Sequence, residues 1–143
     1  MIGVRRALLR ALAIASLAFV ANTHAQDPRG TAAVAAARDW LAIVDREDAA
    51  GSHAAAGAKF RKAIPDKQWV GLLAKERKPR GAMKARALFQ TSFNPKMPPA
   101  LGPGDYIALA FRTSFANQAD ARETVTLERE SDGVWRVVGY FIR

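Results

Sequence analysis

Glu123 stands on the same parity as Val125 and Leu127 in an alternating stretch, where a carboxylate is costly unless it is paired. Arg86, in an earlier extended segment, is the candidate partner. Such a group is a cross-strand structural ion pair, an exposed strand-start residue, or an acid or base for proton transfer. Asp45, near the end of a helical stretch, has a similar choice. It is the floor carboxylate of an isomerase-like site, a partner for Arg77, or a bond to the chain break at Gly51-Ser52. Tyr106 and Tyr140 could bring hydroxyls to the same place; Tyr140 shares the parity of Val138 and Ile142, so its ring should pack while its oxygen reaches a rim. Trp40, Trp69 and Trp135 are core residues or pocket walls, each with one N–H that needs an acceptor.

Other chemistries are excluded by what the chain lacks. There is no cysteine, so no disulfide, thiolate nucleophile or Cys-ligated metal. His53 has no His or carboxylate at ligand spacing, which argues against a metal and for an exposed or capping role. Gly102-Pro103-Gly104 lacks both the spacing and the following helix of a phosphate loop. Gly-x-Ser-x-Gly is missing as well. No cofactor is expected.

The first 25 residues have the order of an export signal. Arg5, Arg6 and Arg10 precede an apolar run from Ala11 to Ala21, and Asn22-Thr23-His24-Ala25 places small side chains for a cut after Ala25. The run is about 11 residues, against roughly 20 for a membrane span. Residues 26–143 are then one exported, periplasmic or secreted domain with no transmembrane span after cleavage. The whole chain has 22 basic and 13 acidic residues. Removing three leader arginines leaves 22 − 3 = 19 basic against 13 acidic, a charge of +6. The cluster Lys75, Arg77, Lys78, Arg80, Lys84 and Arg86 has no interleaved aromatics, so nucleic acid is not the expected partner. An unknown small ligand or an envelope component is, with the domain a monomer or homodimer.

The elements that must position these groups can be read from periodicity. Ala33, Ala37, Trp40 and Val44 form one helical stripe ending near Glu47. A second helix is expected from about Ser52 to Ala63, and a third after Pro65, stopped by Pro79 and Gly81. Residues 83–93 alternate, with Met83, Ala85, Ala87, Phe89 and Phe93 on one parity. After a Pro/Gly-rich turn region, Asp105 to Phe115 alternates too. Ser131-Asp132-Gly133 marks a hairpin, and Trp135–Ile142 carries apolar residues on both parities, which predicts a central strand. Three N-terminal helices packed on a curved four-stranded antiparallel sheet make an α+β domain.

Several segments resemble an exported bacterial family known as domain of unknown function 4019. They are Trp40-Leu41 with Asp45, Gln68-Trp69, Arg77 through Gly81 with Arg86, Gly104-Asp105-Tyr106, Thr113-Ser114-Phe115, Glu123-Thr124-Val125 and the tail Trp135–Arg143. His53 departs from the aromatic expected there. The element order resembles the cone-shaped fold of nuclear transport factor 2, also called cystatin-like. The resemblance implies that fold and attaches no activity. A cone of this kind implies a pocket between sheet and helices. The reading is a non-catalytic binding domain for a small ligand or envelope partner. The alternatives are an acid-base enzyme of isomerase or hydrolase type using Asp45 or Glu123 with Tyr106 or Tyr140, and a basic envelope-surface structural or stress protein.

Overall fold

The computed structural model describes residues 27–143. The expected leader at residues 1–25 lies outside the described residues. Asp27 caps the first helix, α1 (Pro28–Asp45), by accepting from the Arg29 backbone N–H, and Pro28 sits in the first turn, where its missing N–H costs nothing. The buried stripe of α1 is Ala33, Ala37, Trp40, Leu41 and Val44. The helix stops two residues before Glu47, which takes a positive φ of 56°.

Four helices form the front half, not three. The expected second helix is divided into α2 (Ala49–Ala55) and α3 (Ala58–Ala63). Ala56 and Gly57 between them are extended. The break serves a tertiary contact: the Gly57 N–H donates to the Val137 carbonyl at 2.7 Å. A Cβ on Gly57 would lie 3.1 Å from that same oxygen. Helix α4 (Asp66–Arg77) starts after Pro65 as the sequence indicates, and a 3₁₀ turn, Lys78–Arg80, ends it.

Strands β1 (Met83–Phe93), β2 (Tyr106–Phe115), β3 (Gln118–Arg129) and β4 (Trp135–Ile142) form one antiparallel sheet in the order β1-β2-β3-β4. This order corrects the expectation that β4 is central: it is an edge. Its apolar residues on both parities have another cause. A register shift opposite Thr126 and Leu127 places Val137 and Val138 in succession, and α1 and α3 cover the strand. The Gly57 bond caps one carbonyl of that edge, which would otherwise invite pairing.

The helices pack on one sheet face. Ile107, Leu109, Phe111, Val125, Leu127 and Val137 meet Trp40, Leu41, Val44, Phe60, Trp69 and Leu73 there. In β1 the apolar parity turns outward: Ala85, Ala87 and Phe89 are exposed, while Arg86 and Leu88 point to the interior side. A second small cluster, Phe115, Ala121 and Ile142, lies at the other end of the sheet, and Tyr140 packs against both clusters.

Candidate functional site

The strand alternation that buries Val125 and Leu127 also buries Glu123, which is 0% exposed. Three donors meet its carboxylate. Oε1 accepts from Arg86 Nε at 2.8 Å and from Thr113 Oγ1 at 2.5 Å, and Oε2 accepts from the Tyr140 hydroxyl at 2.5 Å. Thr113 is on the core parity of β2, and Phe111 pairs with Glu123 across the β2–β3 ladder. Arg86 turns its other nitrogens to Asp45 at the C-terminal end of α1: Nη1 to Oδ2 at 2.8 Å and Nη2 to Oδ1 at 2.9 Å. That bidentate fork is the strong form of such a pair. Arg77, from the last turn of α4, donates from Nη2 to Asp45 Oδ1 at 2.9 Å. Its guanidinium carbon stands 4.8 Å from the Phe115 ring centroid, and its Nε and Nη1 are buried without a hydrogen-bond partner. Two carboxylates and two guanidinium groups thus balance one another and tie α1, α4, β1 and β3 together.

The electrostatics follow from this pairing. Burial by itself raises the Asp45 carboxyl, but the hydrogen bonds and charges of Arg86 and then Arg77 outweigh it and hold the group below the ordinary carboxylate value. Burial likewise works against a charged Arg86, and the Asp45 and Glu123 carboxylates reverse that effect, so its pKa is raised. Burial first, and the Glu123 charge second, push the Tyr140 phenol well above its usual range, so it stays a hydrogen-bond donor.

Of the residues singled out from the sequence, Asp45, Arg86, Glu123 and Tyr140 are brought together. Tyr106 is not. Its hydroxyl lies at the opposite end of the sheet, accepting from Lys59 Nζ at 2.7 Å and donating to the carbonyls of Leu101 and Gly102 at 3.0 and 3.1 Å. Trp40 and Trp69 fill the concave side of the sheet. The Trp40 ring is 6.0 Å from Phe60, 5.9 Å from Trp69 and 5.3 Å from Tyr140. Trp135 is buried in the same core. Arg77, by sequence both one of the basic cluster and a candidate partner for Asp45, is buried and makes that bond.

Two contributors escaped the sequence reading. Thr113 carries a signal, since it shares its parity with Ile107, Leu109 and Phe111. Ser52 carries none: it is a buried polar residue whose Oγ accepts from Trp69 Nε1 at 2.9 Å and whose carbonyl accepts from Trp40 Nε1 at the same distance. His53 is half-buried, with Nε2 2.8 Å from the Ile64 carbonyl. No group of three or more His, Cys, Asp and Glu able to hold a metal ion occurs among the described residues.

The aromatic rings leave little room inside. A cleft of about 150 Å³ remains between α4 and β4, bordered by Leu72, Glu76, Tyr140 and Ile142. A larger groove of about 430 Å³ runs between the start of α1 and β1, lined by Thr31, Val34, Leu88, Thr91 and Phe93.

The site and fold define an α+β domain with a neutral, internally paired charge centre beneath an aromatic core. The family model described as "Protein of unknown function (DUF4019)" matches residues 36–140, and the chain belongs to that family. No curated protein and no solved structure matches the chain.

Proposed function

We propose that the protein is a non-catalytic binding domain, exported and freed of residues 1–25, with the cone-shaped fold of the nuclear transport factor 2 type. The observation that carries this reading is the state of the charge centre. Glu123 is enclosed, and Asp45, although it borders an open groove of about 360 Å³ with Arg86, has both carboxylate oxygens held by two arginines, so both carboxylates are engaged by the fold. Helices gathered on one face of a single antiparallel sheet support the cone. The charged, apolar and small-residue order of the first 25 residues supports export, as does a chain with no cysteine to oxidise. Among the described residues no helix is long and apolar enough to cross a membrane.

With aromatic rings filling the concave side, a small ligand is received at the groove between α1 and β1. Its volume is within the range of small-molecule sites, and Val34, Leu88 and Phe93 give it an apolar lining beside the polar Thr31 and Thr91; the Asp27 carboxylate at its edge is paired with Arg29, whose guanidinium stands 5.4 Å from the Phe93 ring and can meet an anionic head group. The ligand class that fits is a small amphiphile such as a straight-chain fatty acid. Octanoate, decanoate and dodecanoate should raise the melting temperature of the purified domain, and Thr31→Trp, which fills the groove, should abolish the gain. No stabilisation by any of the three, or stabilisation that survives Thr31→Trp, refutes the assignment. Export is tested separately: intact mass of protein from the periplasmic fraction should start at Gln26, and a retained leader refutes it.

A further inference from the structure

The outer face of the sheet, opposite the helices, holds an unusual row of charges. Arg112 on β2 pairs directly with Arg122 on β3. Arg122 exchanges both backbone hydrogen bonds with Arg143, at 2.8 and 3.0 Å, where the chain leaves β4. Three arginines therefore lie side by side across three neighbouring strands, all exposed. Like charges placed directly opposite in a sheet are destabilising. No described carboxylate forms an ion pair with any of the three. Asp120, on the same face two residues before Arg122, is an acidic neighbour that makes no ion pair of its own, so one negative charge stands beside three positive ones.

The row is held in place. The guanidinium carbons of Arg112 and Arg122 stand 5.5 and 5.7 Å from the ring centroid of Phe89, which alternates with Ala85 and Ala87 onto this face. Such stacking orients planar guanidinium forks toward solvent. Beside the row runs a groove of about 310 Å³ with Phe89 at one end, Phe141 at the other, Ala110 and Thr124 between them, and Arg122 and Arg143 along its side. Phe141 is 59% exposed, the most open large apolar residue of the described chain.

We infer that this face binds an acidic polysaccharide. Strands are about 4.8 Å apart, so the first and third arginine backbones are separated by about 10 Å. A chain with repeating negative charges can meet each of the three in its own place, whereas one carboxylate or phosphate would have to draw all three side chains together against their mutual repulsion. The open Phe141 ring offers an apolar platform for the face of a sugar. A single-stranded nucleic acid needs successive stacking rings, and here the two exposed rings, Phe89 and Phe141, stand on β1 and β4, whose backbones are about 14 Å apart at a strand spacing of about 4.8 Å. A second copy of the chain laid face to face would set arginine row against arginine row. The inference is independent of the α1–β1 groove, which is bounded by other residues.

The probe is fluorescently labelled polygalacturonate, a chain of carboxylated sugars, titrated with the full domain by anisotropy at low salt. Three partners are compared with it: neutral dextran, an oligothymidylate, and vesicles of phosphatidylglycerol. Polygalacturonate should bind, weaken as salt is added, and be preferred over the other three. Arg122→Gln with Arg143→Gln should reduce affinity about tenfold or more, with a thermal melt no lower than the parent's, because both side chains are exposed and their removal relieves like-charge repulsion. Phe141→Ala should weaken binding without altering its salt dependence. Lys75→Gln with Lys78→Gln removes the same charge elsewhere and should leave binding intact. Absence of polygalacturonate binding, tighter binding to the oligonucleotide or the vesicles, or equal losses from the two double variants each overturns the inference. The fatty-acid experiment reports on other residues, so either outcome here leaves that reading to stand or fall on its own.

Discussion

Removing the Glu123 carboxylate is the sharpest perturbation of the charge centre. In the native fold it accepts hydrogen bonds from Arg86, Thr113 and Tyr140 and is out of contact with water. Glu123→Ala leaves two hydroxyl donors without an acceptor and deprives Arg86 of one of its two carboxylate partners. Breaking one side of a buried ion pair costs about 3–5 kcal/mol. Because Arg86 keeps its bidentate fork to Asp45, the lower end of that range applies, with the stranded hydroxyls adding to it. For a domain of this size, about 4 kcal/mol corresponds to a melting-temperature loss of roughly 15 °C. Glu123→Gln should cost less, about 2 kcal/mol. Its amide oxygen can still accept from Arg86 and Thr113, and the Tyr140 hydroxyl can turn to accept from the amide N–H. The assay is urea unfolding at neutral pH, followed by circular dichroism. A double-mutant cycle with Arg86→Gln should give a coupling above about 1 kcal/mol. Stability of Glu123→Ala within about 1 kcal/mol of the parent, or a vanishing coupling with Arg86, would show that the carboxylate is not what fastens these strands.

Other outcomes follow from the same contacts. The lowered Asp45 carboxyl means the unfolded chain binds its proton first, so stability is present above the ordinary value of 3.8 and drains away as pH falls below it. The raised Tyr140 phenol acts in the opposite sense: its contribution holds below the ordinary value of 10.0 and is lost as pH climbs beyond it. Melting temperature against pH should therefore show a plateau between these limits, and Tyr140→Phe should flatten its alkaline shoulder; an unaltered shoulder contradicts the assignment. Ser52→Ala takes the acceptor from Trp69 Nε1 and should cost about 1–3 kcal/mol with a change in tryptophan emission; unchanged emission and stability would argue against the bond. Gly57→Ala sets a methyl 3.1 Å from the Val137 carbonyl and should destabilise by about 1–3 kcal/mol. Increased light scattering on heating would report the loosened β4 edge, and a melt matching the parent would show that the break between α2 and α3 tolerates a side chain.

Much of this protein is written locally. Helical spacing at Ala33, Ala37, Trp40 and Val44 fixes the buried side of α1, and alternation at Ile107, Leu109, Val125 and Leu127 fixes the inner face of β2 and β3. Alternation also places Glu123 inside, and an enclosed carboxylate demands a cation, which makes Arg86 readable as its partner. Side-chain period is a property of each element alone, so sequence suffices for it. What the elements do to one another is not periodic. The split between α2 and α3 answers to a carbonyl of β4 that is 80 residues away from Gly57 in sequence. The edge position of β4 and the separation of Tyr106 from Tyr140 depend on strand order and on register shifts, which composition does not encode. The alignment of Arg112, Arg122 and Arg143 is of the same kind. They are unrelated positions in the chain until three strands pair, and only the hydrogen-bond ladder sets their charges side by side.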